Sequence, residues 1–430
     1  MIDINLLRES PEKVKENLKK RFQEEKISLV DEILKIDEKW RKLKYDEDAL
    51  RSKRNKISKK IAQAIKKGEK KEVEKLKKEA KEIPEKIEKI QVKRKKFEED
   101  IKEILMKLPN MIHESVPIGK DESEAKFLRK FGKLPKFNFK PKSHFEIVKN
   151  LRVVDEEKGA EVSGSRFYYL LGDLVFLNHA LQRFAMDFLK KKGYVGVQPP
   201  YMLSKSAMSG AVSLEDFKES IYKIEDEDLY LIGTSEHALA AYHKDEIINL
   251  NKPIKYFGIS SCFRKEAGSH GKDTKGIFRV HRFEKIEQFV FCKKEDEDKI
   301  FEELINNQEE IFKLLEIPYE VVALPSGDFS GSMARTQDLK GWYPAENEYR
   351  ELGSTSSAET YQARKLNMRY QDKNNKLVHA YTLNGTAMTV QRTMTCLLEN
   401  FQNEDGTITV PKVLQPYMNG MKKIGIKKSV

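Results

Sequence analysis

The 430-residue chain has only three cysteines, Cys262, Cys292 and Cys396. They are too few and too scattered for a disulfide framework, which points to a reducing compartment. The eight histidines are dispersed, and no CxxC or HxxxH spacing gathers metal ligands. No uninterrupted apolar run is long enough to span a membrane. The opening MIDINLLRES has no apolar core behind basic residues, so no secretory signal is expected. These absences predict a cytoplasmic protein with no membrane partner. What the chain has in excess is charge. Charged residues make up 35% against 39% hydrophobic, and the net charge of +12 favours a polyanionic partner. The length allows two or three domains and a large core.

The longest pattern lies in the first quarter. Leu29, Ile33, Ile36, Trp40, Leu43, Leu50, Ile57, Ile61 and Ala64 follow heptad spacing, interrupted only by Glu47 and Arg54. Past Gly68 the register resumes through Val73, Leu76, Ala80, Ile83, Ile87, Ile90, Phe97, Ile101, Ile104 and Leu108, broken at Arg94. A heptad on both sides of a glycine predicts two helices folded back as an antiparallel coiled coil. Each would be roughly 55–60 Å long. A shorter helix over Pro11–Lys20 precedes them, and Pro84 should kink the second long helix or interrupt its ladder.

Between Arg51 and Lys70, nine Lys or Arg stand against the single Glu69. Arg51, Lys53, Arg54, Lys56, Lys59 and Lys60 belong to this tip. A charge run is ordinarily a solvated face. Here the flanking helices balance Lys with Glu and the tip does not, which suits a rod lying along a phosphate backbone.

From Pro109 the helical pattern stops, and LPNMIHESVPIGKDESE reads as loop. Pro135 and Pro141 extend the irregular region towards Phe145. The expected organisation is therefore a helical arm over 1–109, a linker over 110–144 and a main domain over 145–430. The main domain opens with an apolar helix, a stop at Gly193 and a short strand ending at Pro199-Pro200.

Chemistry concentrates between Ser261 and Glu287, which reads as strand, loop, strand. Arg264 and Glu266 share one strand parity, and Arg279, His281, Phe283, Lys285 and Glu287 share another. Paired guanidinium forks suit a polyphosphate and a carboxylate. Phe283 offers a face for a base, and Glu266 could accept from an exocyclic amine. A charged, solvated hairpin would show the same pattern. Three further segments stand out. GTSEH places Thr234, Ser235 and Glu236 after an apolar strand, either as a carboxylate site for an ammonium or as a capped helix start. ELGSTSS offers Glu351 and Ser354 as hard oxygen ligands, or as a helix cap with its acidic neighbour. LNGTAMTVQRTMTCLLEN reads as a strand, a turn at Gly385 and a helix carrying Arg392, with Thr386 as a candidate N-cap.

FRKEAGSHGKDTKGIFRVHRFEKIE resembles motif 2 of a class II aminoacyl-tRNA synthetase in its seryl-tRNA synthetase form. Arg282 stands where that family usually has Gln, with a parity that turns it away from Arg279 and Phe283. The segment around GSRFYYLLGDLVFLNHALQRF resembles motif 1, LNGTAMTVQRTMTCLLEN resembles motif 3, and MIDINLLRESPEKVKENLKKR with LRSKRNKISKKI resembles the family's N-terminal domain.

This resemblance implies an α+β fold: a class II antiparallel sheet flanked by helices, joined to a coiled-coil arm. It implies a serine–tRNA ligase that activates L-serine with ATP and charges tRNA(Ser), with tRNA(Sec) left open as a second acceptor. Motif 1 implies a homodimer. The arm, through Arg51, Lys53, Arg54, Lys56, Lys59 and Lys60, would grip the tRNA. Serine would meet Thr234, Ser235, Glu236, Glu287 and Thr386, with Glu287 accepting from the substrate hydroxyl and so rejecting alanine. ATP would meet Arg264, Lys265, Glu266, Val280, Phe283, Glu351, Leu352, Gly353, Ser354 and Arg392, with Mg²⁺ on Glu351 and Ser354. Arg264, Arg279 and Arg392 would be the catalytic cations. An atypical branch of the family uses zinc; the arm resembles the common branch, and zinc is not expected. Two other readings are a ligase that loads amino acids onto a carrier protein and an RNA-binding protein on an inactive synthetase fold. The long arm counts against the first, and the intact Arg264, Glu266, Arg279, Glu287, Glu351 and Arg392 against the second.

Overall fold

The computed structural model of the chain describes residues 1–214, 217, 219–266 and 275–425. They divide into two compact units, Ile2–Pro109 and Asn110 onward together with Met1.

In the first unit, helices α1 (Ile4–Glu9) and α2 (Pro11–Lys20) precede two long ones, α3 (Ile27–Lys67) and α4 (Lys70–Lys107). Gly68 joins the long pair in the left-handed region at φ 73°, where a side chain would be strained. Ile57, Leu76, Ile83 and Ile87 bury one another along the seam. Two of the three residues that break the heptad, Glu47 and Arg94, turn out to face each other, while Arg54 is exposed. Glu47 is buried and accepts from Arg51, from Gln91 at 3.0 Å and from Arg94. Arg94 also donates to Glu98 and lies over the Trp40 ring. Two apparent defects, one per helix, are halves of a single polar link. Helix α4 runs through Pro84 within one span; the ring removes one ladder donor without ending the helix.

The second unit is built on an eight-stranded sheet. In chain order its strands are β1 (Lys126–Phe131), β2 (Val195–Val197), β3 (Ile254–Phe263), β4 (Arg282–Cys292), β5 (Tyr319–Ala323), β6 (Arg335–Tyr343), β7 (Glu348–Glu359) and β8 (Tyr381–Thr389). Across the sheet they run β1-β5-β6-β7-β8-β4-β3-β2. Neighbours are antiparallel except β3 and β2, which are parallel. The helices used below are α5 (Asp173–Lys191), α6 (Lys205–Ala211), α7 (Ser235–Ala241), α8 (Glu297–Leu314), α9 (Tyr361–Lys365) and α10 (Val390–Asn400).

Strand β4 shows how the sheet is covered on both faces. Ile286, Val290 and Cys292 join a core with Leu177 and Leu181 of α5, Phe301 and Leu304 of α8, and Leu397 of α10. Phe289 and Phe291 point the other way, against Met208 of α6, Leu239 of α7 and Ala363 of α9. On that second face, parity runs from polar Lys285 and Glu287 to apolar Phe289 and Phe291. The polar half opens towards the cavity described below.

Several sequence expectations change here. The segment 110–144 is not a free linker. Asn110 donates its side-chain amide to the carbonyls of Ser332 and Ala358, and β1 pairs with β5 as an edge strand. Its short basic alternation gave no distinct strand signal. Gly385 is not a turn: it lies mid-strand in β8, opposite Thr355 and Gln288. Sheet neighbours on both sides outweigh the local turn preference of Asn-Gly. Thr386 is consequently a strand residue, and α10 begins only at Val390. ELGSTSS lies within β7 and caps no helix.

Candidate active site

Adjacent strands present polar residues two positions apart, which is the strand period. Thr336 and Asp338 come from β6, Ser354 and Ser356 from β7, Asn384 and Thr386 from β8, and Lys285 from β4. Register aligns them in rows: Asp338 with Ser354, Thr336 with Ser356, and Ser356 with Asn384. Together they floor a cavity of about 400 Å³. A sheet interior this polar needs its groups satisfied. Thr336 Oγ1 and Ser356 Oγ, for example, are 2.9 Å apart.

Three arginines reach the cavity from three directions: Arg264 just past β3, Arg279 ahead of β4, and Arg392 in the first turn of α10. The strand parity read from the sequence does not extend that far, because β3 ends at Phe263 and β4 begins at Arg282. Glu266 instead reaches the site from a left-handed backbone position at φ 47°, with Arg279 Nη1 3.6 Å from its carboxylate. His281 shares Arg279's parity, yet it stacks on Phe167 and bonds the Tyr222 hydroxyl at 2.6 Å. Arg282 bonds Ser261 and Glu284, away from Arg279 and Phe283 as its parity predicts. Arg264 lies with its guanidinium 5.4 Å from the Phe283 ring centre and donates through Nε to the Gly233 carbonyl. The intervening loop 267–274, with His270, lies outside the described residues.

Arg392 Nη1 sits 2.9 Å from Glu351 Oε2. Burial would raise the Glu351 carboxyl, but Arg392, with Arg264 and Arg279 beyond it, holds it below its ordinary value. Ser354 Oγ is 3.4 Å from Glu351 Oε1. Asp338, opposite Ser354, is pushed up by burial and by Glu351. This all-oxygen set of carboxylates and a hydroxyl has the chemistry a hard divalent cation requires. Elsewhere among the described residues, His113, Glu297 and Asp298 come close enough to share an ion. There Arg335 already donates to both carboxylates at 2.6 Å.

The cavity lining also takes in Glu236 at the start of α7. Thr234 caps that helix by accepting from the Glu236 amide at 3.2 Å, so the cap and the site coincide. Gln362 donates to one Glu236 oxygen at 2.9 Å and Asn384 to the other at 3.2 Å. Burial and the nearby Glu287 push the Glu236 carboxyl up to about 7, against Lys285, Gln362 and Arg264. Beside it, burial with Arg264 and Lys285 drives His237 down to about 3, so that ring is neutral.

Ten of the sequence-predicted residues line the cavity: Glu236, Arg264, Glu266, Arg279, Val280, Phe283, Glu351, Ser354, Thr386 and Arg392. Of the others predicted for serine and ATP, Thr234, Ser235, Lys265, Glu287, Leu352 and Gly353 are not in the lining. Glu287 is fully buried beneath the wall, held by Lys285, by Asn384 at 3.2 Å and by Thr386 at 3.5 Å. Ser235 is buried against Gly258, and Leu352 belongs to the core. Lys265 turns over Tyr222, 5.5 Å from its ring centre. Gly353 matters for its lack of a side chain, since a Cβ there would come 2.6 Å from that of Thr386. Sequence reasoning did not assign Lys285, Asn384, Asp338 or Gln391 to the lining. Lys285 shares strand parity with Phe283 and Asn384 with Thr386; that was the signal available.

A largely antiparallel sheet whose polar face meets three arginines from its flanking segments defines a class of protein. The family model described as the tRNA synthetase class II core domain (G, H, P, S and T) matches residues 221–401. The seryl-tRNA synthetase N-terminal domain matches residues 1–112. The chain is 44% identical over 426 residues to a serine–tRNA ligase of Nitrosopumilus maritimus, covering 99% of this chain and 100% of that one. It is 46% identical to one from Methanoregula boonei, covering 97% and 99%. Among solved structures, the seryl-tRNA synthetase of Pyrococcus horikoshii complexed with ATP superposes with a TM-score of 0.92, at 44% identity and 99% coverage of both chains. The chain belongs to the seryl-tRNA synthetase family.

Proposed function

We propose that the chain is a serine–tRNA ligase that makes seryl-adenylate from L-serine and ATP and passes the seryl group to tRNA(Ser). The observation that carries the reading is one cavity lined both by three arginines, Arg264, Arg279 and Arg392, and by a buried carboxylate, Glu236. The first suits a triphosphate, the second an ammonium. In the first step an oxygen of serine's carboxylate attacks the α-phosphorus of ATP, the bond to the β-phosphate oxygen breaks, and pyrophosphate leaves. In the second, the terminal ribose hydroxyl of the tRNA attacks the acyl carbon and AMP leaves.

No side chain need act as nucleophile. Positioning and neutralisation of developing charge supply the acceleration. Arg264 and Arg279 face the carboxylate and α-phosphate, Arg392 the tail of the triphosphate, and Glu266 and Phe283 the adenine. Glu236 receives the substrate ammonium, and Thr386 closes the floor against the side chain. Glu287 then acts from behind, fixing Lys285, Asn384 and Thr386. Glu351 and Ser354 would hold Mg²⁺, which when bound polarises phosphate oxygens.

The arm supports a tRNA partner. Arg54, Lys56, Lys59 and Lys60 are exposed near its tip, while Arg51 turns to Glu47 and Lys53 to Glu79. We further infer a homodimer, because Tyr169, Leu171, Val175 and Phe176 expose apolar surface in the motif 1 segment. Three buried thiols favour a reducing, cytoplasmic setting. Aminoacylation assays with tRNA(Ser) and [¹⁴C]serine test the whole reading; absence of acid-stable, base-labile seryl-tRNA would refute it.

A further inference from the structure

Gln362 stands on the short helix α9, outside the cavity lining. Its side chain is buried, and each end of the amide has a partner. Nε2 donates to Glu236 Oε1 at 2.9 Å and to the Ala211 carbonyl at 3.1 Å; Oε1 accepts from the Thr382 hydroxyl at 2.7 Å. The reverse orientation would set an amide oxygen against a carboxylate and a carbonyl, with no proton between them. The Thr382 hydroxyl, itself fully buried, completes the selection by offering its proton to the amide oxygen. Asn384 supplies the matching donor to Glu236 Oε2 at 3.2 Å. Each carboxylate oxygen thus has one amide donor, and Glu236 itself lines the cavity.

We propose that Gln362 is a positioning residue for the amino-acid substrate, fixing the Glu236 carboxylate as ammonium acceptor, and that Thr382 sets the orientation of the Gln362 amide. The inference rests on the reading of Glu236 as the group that receives the ammonium. Neither residue touches substrate. Gln362 also ties Glu236 to the carboxyl end of α6 through Ala211, and Thr382 ties it to β8. The carboxylate is therefore held against three elements besides its own helix: α9, α6 and β8. That amide donor also favours the charged form of Glu236, the form an ammonium requires.

The test is pyrophosphate exchange by the full chain with serine and ATP varied separately, in Gln362→Met, Thr382→Val, Thr382→Ser and, as reference, Glu236→Gln. Loss of a hydrogen bond to a charged group should raise the serine KM about tenfold to a hundredfold in Gln362→Met, and the ATP KM should stay within about twofold. Thr382→Val, nearly isosteric, should raise the serine KM in the same direction, and Thr382→Ser should behave as the parent. The acid limb of serine kcat/KM should move to higher pH in Gln362→Met, which a merely structural defect would not produce. An unchanged serine KM in Glu236→Gln would overturn the underlying reading and this inference with it. A raised KM in Glu236→Gln alone would overturn only the positioning role. So would a loss shared equally between serine and ATP in both Gln362→Met and Thr382→Val.

Discussion

Arg392 Nη1 lies 2.9 Å from Glu351 Oε2 and 3.2 Å from the Glu351 carbonyl oxygen. Two groups assigned to opposite partners, a phosphate and a cation, are therefore bonded to each other. Burial alone would lower Arg392, but Glu351 more than offsets it, and Arg392 in turn keeps Glu351 ionised. Nucleotide and cation should engage this pair together, since each satisfies the group that the other draws away.

Replacing Arg392 with Ala should lower kcat/KM for ATP in pyrophosphate exchange by about 10²–10³, the usual cost of losing one preorganised charge donor. The serine KM should change little, because Glu236 receives the ammonium. Arg392→Lys should recover only part of the loss, since a point charge cannot reproduce the planar fork. Unchanged exchange in Arg392→Ala would remove this arginine from the mechanism.

Glu236 gives a stability prediction with a definite sign. Its carboxyl is raised from 4.5 to about 7 in the folded chain, so the folded state binds the proton more tightly than the unfolded state. Below about pH 4.5 both states carry it and nothing is lost; the penalty builds as pH rises and is complete above about pH 7, on the order of 3 kcal/mol. Glu236→Gln should therefore raise the melting temperature by several degrees at pH 8 and by much less at pH 5. Equal shifts at both pH values would mean that the carboxyl is not held in this way.

The link between Glu47 and Arg94 predicts register control in the arm. Glu47→Ala leaves a half-buried guanidinium with only the more exposed Glu98 as ionic partner and should destabilise the arm by about 2 kcal/mol. Glu47→Leu combined with Arg94→Leu should recover most of that loss, because a well-packed apolar pair can replace a buried ion pair. Thermal melts followed at 222 nm read both outcomes. A double variant as unstable as the single one would contradict this account of the seam.

Changing Arg54, Lys56, Lys59 and Lys60 together to Glu should abolish tRNA charging and leave serine-dependent pyrophosphate exchange intact. Each lost phosphate contact should also flatten the salt dependence of tRNA affinity, by about one in the logarithmic slope. Equal loss of both activities would refute the division of labour between arm and cavity.

What the sequence made legible was whatever is local. The heptads, the glycine between them and the basic run at the tip are read within one helix at a time, and α3 and α4 follow them closely. Motif resemblance located Arg264, Arg279 and Arg392 although strand parity stopped short of two of them. What stayed hidden depends on which strands are neighbours. Thr386 lies opposite Glu287 only because β8 pairs with β4, and Asn384 can bridge Glu236 and Glu287 for the same reason. Glu47 and Arg94 looked like flaws until the two helices were set side by side. Gln362 carries no local signal at all, since its importance lies in Glu236 and Thr382, both distant in the chain.

The most direct test of the whole reading is amino-acid-dependent exchange of pyrophosphate into ATP, with Mg²⁺, across all the standard amino acids. A cavity pairing Glu236 with three arginines over a floor of small hydroxyl residues predicts strong exchange with serine and little with any other. Exchange driven by a different amino acid, or none with serine, would contradict it.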